Sequence, residues 1–200
     1  MPKHESTPAH LADTWRRPQG IFVLAEIGGV VGDMVRAIQE RFDPKLLRNI
    51  PPHVTLVGSS GLGPIAGATP LEDLQSALAP IAASTPPLEL SLHRAHRFMQ
   101  TDIIVLPLDP HGALRELHDR IGATKLPFAQ SRFTFTPHVT LSFFRTLTPA
   151  QRRELLAIRI KERLVIEHLR CSLTQEPMPP RTLAEFPLRG ESAAMDSTAK

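Results

Sequence analysis

The sequence predicts an α+β fold: bilobal, built from duplicated β-α-β units, with two antiparallel sheets around a central cleft and pseudo-twofold symmetry. Three observations predict it. The pentapeptide Pro-His-Val-Thr-Leu occurs twice, at residues 52–56 and 137–141, and its β-branched, apolar character favours an extended strand. Around each copy the hydrophobic periodicity repeats one order, strand–helix–His strand–helix–strand. The chain has 200 residues and 42% hydrophobic content, enough for a sizeable core. No apolar run approaches the roughly 18–20 residues that span a bilayer.

Residues 1–19 are polar and aperiodic and read as a disordered tail, with Trp15 its one oddity. They lack the apolar stretch of a secretory signal, so the expected location is the cytoplasm. Residues 20–190 form one bilobal domain, with halves at about 20–100 and 101–190, and residues 191–200 are a second polar tail.

Residues 20–27 (GIFVLAEI) read as a buried strand. Val31, Met34, Val35, Ile38 and Phe42 recur at helical spacing up to Asp43-Pro44. The first His strand, from Pro52 to about Ser59, runs into a glycine-rich loop ending at Gly63. Thr69, Pro70 and Glu72 predict a capping box, opening a helix with Leu71, Leu74, Leu78 and Ile81 on its apolar stripe. Strands at 88–98 and 102–108 form a hairpin turning at Met99. Asp109-Pro110 opens a helix with Leu114, Leu117 and Ile121, ending at Gly122. The second His strand spans 133–144. A capping box over Thr148–Gln151 starts a short basic helix, and strands at 164–173 and 181–188 close the domain around Pro177.

Side chains at i and i+2 of a strand share a face. His53 and Thr55 therefore point one way, with Val54 and Leu56 opposite; His138 and Thr140 repeat this, backed by Val139 and Leu141. Two such pairs facing across a cleft suit a phosphodiester held between two proton-transfer groups and two hydroxyl donors. Imidazole has an ordinary pKa near 6.5 and serves as acid or base at neutral pH. Threonine hydroxyls donate to non-bridging oxygens as charge builds on them. The scheme requires no metal and no cofactor.

The paired His-x-Thr strands, one in each duplicated half, resemble the 2H phosphoesterase superfamily. The branch is the bacterial group named for 2′-5′ RNA ligase and 2′,3′-cyclic phosphodiesterase. The resemblance covers roughly residues 20–190 and puts His53, Thr55, His138 and Thr140 on the motif positions. It implies hydrolysis of a 2′,3′-cyclic phosphate on a nucleotide or RNA end, a 2′-phosphate product, and reversible 2′-5′ ligation as a further activity. The first copy departs from the family by running straight into Val57-Gly58-Ser59-Ser60, which bears on substrate choice at that rim.

Arg145, just past the second His strand, is a further phosphate-binding candidate. Phe22 and Phe144, with Phe98 behind them, are candidates for stacking a base. His93 and His96 lie three apart on an expected strand and so face opposite sides, making poor co-ligands for a metal. The 58–63 loop lacks the Gly-Lys-Ser/Thr of a P-loop. Lone Cys171 reads as a core or half-buried strand residue. A net charge of +3 is compatible with an RNA or nucleotide partner, and the chain is expected to be a monomer. The alternative reading is an RNA-binding module that keeps the cleft without efficient catalysis.

Overall fold

The computed structural model describes residues 19–98, 101–144, 147–175 and 178–191. The expected tails, Trp15, the Met99 turn, Arg145 and Pro177 lie outside the described residues, apart from the tail ends at 19 and 191. The first half runs β1 (Gly20–Glu26), α1 (Gly29–Phe42), α2 (Pro44–Asn49), β2 (His53–Val57), β3 (Leu62–Ile65), α3 (Leu71–Ala83) and β4 (Leu88–Leu90). After β5 (His96–Arg97) the second half runs β6 (Ile104–Pro107), α4 (Gly112–Gly122), β7 (Phe128–Gln130), β8 (His138–Ser142), α5 (Pro149–Ala157) and β9 (Leu164–Ile166). β10 (His168–Gln175) and β11 (Met178–Pro187) follow.

The fold is α+β with antiparallel sheets. The strand order β11-β10-β1-β2-β8-β6-β5 reads outward in the same way from the two His strands at its centre. β2 and β8 share one ladder pair, Val54↔Val139, so the sheets of the two halves run into each other there. The outer strands are exchanged: β5 pairs with β6, and β10 pairs with β1. β4 and β9, one from each half, pair with each other in a separate two-stranded sheet.

These exchanges explain why the expected strand at 88–98 is broken. Its first part belongs to the small sheet and its last to the large one, so residues 91–95 must bend between them. The strand expected at 133–144 is shorter for a related reason. Residues 131–137 leave the ladder and bond instead to the loop after β2, through Gly61 N–H to the Phe133 carbonyl (2.8 Å) and Thr136 N–H to Ser60 Oγ (3.1 Å). That loop, expected to run to Gly63, gives way at Leu62 to β3, which pairs with β1 and β7.

The helices pack on the apolar face. Val54, Leu56, Val139 and Leu141 are fully buried there, with Val35 of α1, Leu74 and Leu78 of α3, Leu114 of α4 and Leu155 of α5 in one cluster. α1 stops at Asp43 because Pro44 has no N–H to continue it, and a residue before proline is pushed out of the helical region. Asp43 then caps α2, its Oδ1 accepting from Leu46 N–H at 3.1 Å. Among the described residues, no helix is long and apolar enough to cross a membrane.

The two expected capping boxes part company. At α5 the box forms as read: Thr148 Oγ1 accepts from Gln151 N–H, and Gln151 Oε1 accepts from Thr148 N–H. At α3 it does not, because the helix starts one residue late. Pro70 occupies the cap, Glu72 falls at the second helical position, and the buried Thr69 hydroxyl has no partner. A lost cap costs about 1 kcal/mol, whereas an unpartnered buried hydroxyl contributes no such bond. Urea unfolding therefore registers Thr148→Ala as a loss of about 1 kcal/mol, and Thr69→Val as neutral or stabilising.

Candidate active site

Each candidate histidine is the first residue of its strand, and the two strands bury in the same alternation: half-buried, buried, half-buried, buried, buried. Continuing the antiparallel register from Val54↔Val139 sets His53 opposite Thr140 and Thr55 opposite His138. Opposed residues share a face with Cβ atoms about 5 Å apart, and diagonal ones roughly 7–8 Å apart. All four expected polar side chains thus meet in one quartet, with the histidines on its diagonal.

Both rings are locked in the same way. His53 Nδ1 lies 2.8 Å from the Pro51 carbonyl, and His138 Nδ1 lies 2.7 Å from the Thr136 carbonyl, two residues back in each case. A carbonyl only accepts, so each Nδ1 carries the hydrogen and each Nε2 is the proton-exchanging atom. The pKa of His53 is lowered by burial, against the support of its carbonyl bond, and further by charge on His138 and Arg170. That of His138 is lowered by burial, with a contribution from His96. The ring of Phe98 leans on His138, centroids 4.5 Å apart.

The residues that act on the two histidines occupy matching places. On one side the sheet register runs Thr55–Leu24–Arg170; on the other it runs Thr140–Val105–His96. A register shift falls at the equivalent point of each half, at Val23/Leu24 and at Ile104/Val105. Bulges there increase local twist and re-aim side chains. The chemistry at the two ends differs. Arg170 is ion-paired with Glu26 and with Glu185 (2.9 Å), and Glu26 is the register partner of His53. His138 has Pro107 in that place.

Reading the sequence missed the groups that hold the strands in position. Gln39 of α1 donates from Nε2 to the Thr140 carbonyl at 2.8 Å, reaching from the first half into the second. His118 of α4 reaches back, Nδ1 donating to the Leu56 carbonyl at 2.7 Å. Asp43 Oδ2 accepts from Phe143 N–H (2.7 Å) and Phe144 N–H (2.8 Å), fixing the exit of β8. The sequence signal was a polar residue on a buried stripe: Gln39 follows Val35, and His118 follows Leu114, by one helical turn.

The aromatic candidates are engaged by other parts of the chain. Phe22 is half-buried and covers Gly58, whose φ of +132° and lack of a side chain permit that contact; a Cβ there would lie 2.0 Å from the ring. Phe144 is half-buried under Lys45, with Nζ 4.2 Å from its centroid. Arg145 lies outside the described residues. Cys171 is fully buried on β10, and burial pushes its thiol up to about 12, leaving it unreactive.

A duplicated antiparallel sheet carrying one His-x-Thr pair on each central strand defines a two-histidine phosphoesterase class. The sequence pattern of the 2′-5′ RNA ligase superfamily matches residues 29–174. The chain therefore belongs to the 2′-5′ RNA ligase superfamily. A Geobacillus thermodenitrificans (strain NG80-2) protein, provisionally named as a phosphoesterase, is 29% identical over 112 residues. That match covers 56% of this chain and 61% of the relative, so the chain spans about three fifths of that protein's length. Similar solved folds include TT0787 of Thermus thermophilus (TM-score 0.58, 18% identity) and apo LigT of E. coli (0.53, 16%). Each comparison covers 86% of this chain and 99% of the other.

Burial lowers the pKa values of His53 and His138, and it is also the largest cause for His118. Near pH 6.5 the folded chain thus binds fewer protons at these rings than the unfolded chain does. Their contribution to stability is complete above the ordinary value of about 6.5 and is lost as pH falls through the lowered folded values. Urea midpoints measured at about pH 7.5 and about pH 5.5, on either side of the ordinary histidine value, are expected to fall toward the lower pH. A midpoint that rises would contradict neutral, buried rings.

Proposed function

We propose that the protein hydrolyses a 2′,3′-cyclic phosphodiester on a nucleotide or RNA end, by acid–base catalysis from His53 and His138 and without a metal. The observation that carries this reading is the quartet itself: two Nε2 atoms and two hydroxyls on one face, with both Nδ1 atoms committed to carbonyls. Among the described residues, neither Thr55 nor Thr140 makes a side-chain hydrogen bond within the protein. Both hydroxyls are available to the non-bridging oxygens.

In the proposed step, one neutral histidine takes a proton from water at Nε2 as the water oxygen attacks phosphorus. The bond from phosphorus to one ribose oxygen breaks on the opposite side, and the other histidine gives that oxygen its Nε2 proton. One proton is taken and one is given, so the pair ends with its protonation exchanged. With a 5′-hydroxyl attacking in place of water and the 3′-oxygen leaving, the same step forms a 2′-5′ linkage, and in its reversal the two histidines swap roles. Lowered pKa values leave both rings mostly neutral at pH 7 in the free protein. The negative charge of a bound phosphate favours return of the single proton the pair requires.

The solved structures of similar fold include E. coli LigT with phosphate and with 3′-AMP, each at TM-score 0.50. Those ligands belong to LigT, and they support a phosphate- or nucleotide-sized occupant for the cleft proposed here.

Turnover of 2′,3′-cyclic nucleotides in the presence of EDTA tests the reading. His53→Ala and His138→Ala are each expected to slow the wild-type rate by at least about 10²-fold, the lower end for losing an acid–base group. Wild-type activity that persists in both variants would refute the mechanism. An inactive wild type that still binds phosphate-ended RNA would favour the binding-module reading.

A further inference from the structure

Phe98 stands where the chain leaves β5, and its half-buried ring lies against the imidazole of His138, with centroids 4.5 Å apart and planes tilted by 39°. We propose that Phe98 is a positioning residue for His138, which sets the tilt of that imidazole and keeps water from its face, and is not a platform for a base. This rests on the reading of His138 as an acid–base group of the cleft.

Geometry is the first argument. The Thr136 carbonyl accepts from His138 Nδ1 at 2.7 Å. Alone, that bond holds the ring loosely, because the outer torsion of histidine has broad wells and a carbonyl oxygen accepts over a wide arc. A second ring packed on the imidazole narrows the tilt, so Nε2 is aimed before substrate arrives. His53 has the same bond to its own carbonyl at 2.8 Å, yet among the described residues no aromatic ring lies against it. It has Glu26 opposite and the charge of Arg170 acting on it instead.

Anchoring is the second argument. His96, Val105 and Thr140 align across β5, β6 and β8, which puts His96 on the cleft face. Phe98 follows His96 by two residues and shares that face. Arg97, between them, points away to Asp102 (3.3 Å), which Arg152 of α5 also meets (3.4 Å). The backbone of Phe98 is held at both ends. Its N–H donates to the Ile103 carbonyl (2.8 Å), and its carbonyl accepts from Thr101 N–H (2.9 Å) and from the Thr101 hydroxyl. Arg97 Nε in turn donates to the Thr101 carbonyl at 2.9 Å. The ring therefore reaches His138 from a turn fastened to α5 through Asp102.

Exclusion of water is the third argument. Burial is the largest cause of the lowered pKa of His138, and the ring of Phe98 is part of what buries it. The titratable groups facing His138 are His96 of β5 and His53 of β2, with Glu26 and Arg170 beyond it on the His53 side. β6 brings none, since its residues paired with β8 are Ile104, Val105, Leu106 and Pro107. Removing the ring from this setting admits water to the imidazole and returns its pKa toward the ordinary value of about 6.5.

Histidine-ring NMR of the free protein tests the placement without turnover. Phe98→Leu keeps a large apolar side chain, Phe98→Tyr keeps the ring, and Phe98→Ala removes both. Phe98→Leu is expected to move the His138 ring-proton signals more than those of His53, and Phe98→Tyr to leave them near wild type. In Phe98→Ala the titration midpoint of His138 should rise toward about 6.5. In turnover of 2′,3′-cyclic nucleotides, Phe98→Leu should lower kcat about 10- to 100-fold with KM held within about threefold, and Phe98→Tyr should keep most of the rate. A raised KM at unchanged kcat would mark a base platform and overturn the proposal. So would His138 signals, or a kcat, that Phe98→Leu leaves unmoved. A wild type without turnover refutes the hydrolase reading, and the ring signals alone then uphold or overturn the placement of His138 by Phe98.

Discussion

One ladder pair joins the two His strands of this protein. Val54 and Val139 meet at the centre of the large sheet, both fully buried. Because register alternates side chains between faces, that pair decides that His53, Thr55, His138 and Thr140 share the opposite face. A slip of one residue in either strand would bury its histidine and expose its valine, and the apolar backing of both strands opposes it. One backbone pair is a slender joint, however. Gln39 and His118 supplement it in opposite directions, each helix grasping a carbonyl on the other half's strand. The active geometry is held by reciprocal contacts, so neither half carries a complete site.

The electrostatics follow from the same placement. Half-buried imidazoles on the two central strands are short of water, so their charged forms are penalised. In the proposed reaction a bound phosphate would oppose that penalty and so couple substrate binding to protonation of the pair. The symmetry ends two strands out. Arg170 is a guanidinium held by Glu26 and Glu185, whereas its counterpart is the imidazole of His96. The scaffold is duplicated, but the surroundings of the two histidines are distinct, as the two roles proposed for them require.

Much of this was legible in the amino-acid sequence because it rests on short-range rules. The repeated pentapeptide located both His strands, period two assigned their faces, and Thr148 with Gln151 marked the start of α5 to the residue. What escaped was long-range. No local pattern says that β4 and β9 pair with each other, or that β5 and β10 are exchanged between halves, so the expected strand at 88–98 was drawn through a bend. Thr69 carried a sound capping pattern that a one-residue shift of the helix start left unused. Asp43 read only as a helix end, yet its carboxylate also secures Phe143 and Phe144, some hundred residues away. Partners that distant leave no periodicity to find.

The central claim is that the two histidines act on one phosphorus as a unit. Comparing His53→Ala and His138→Ala with the double variant, in cyclic-phosphate turnover, addresses it most directly. Groups that share one step are strongly non-additive. The account predicts that the double variant is about as slow as the slower single variant. Rate losses that multiply in the double variant would mean that the histidines contribute independently, and that the duplicated strands do not converge on a common reaction.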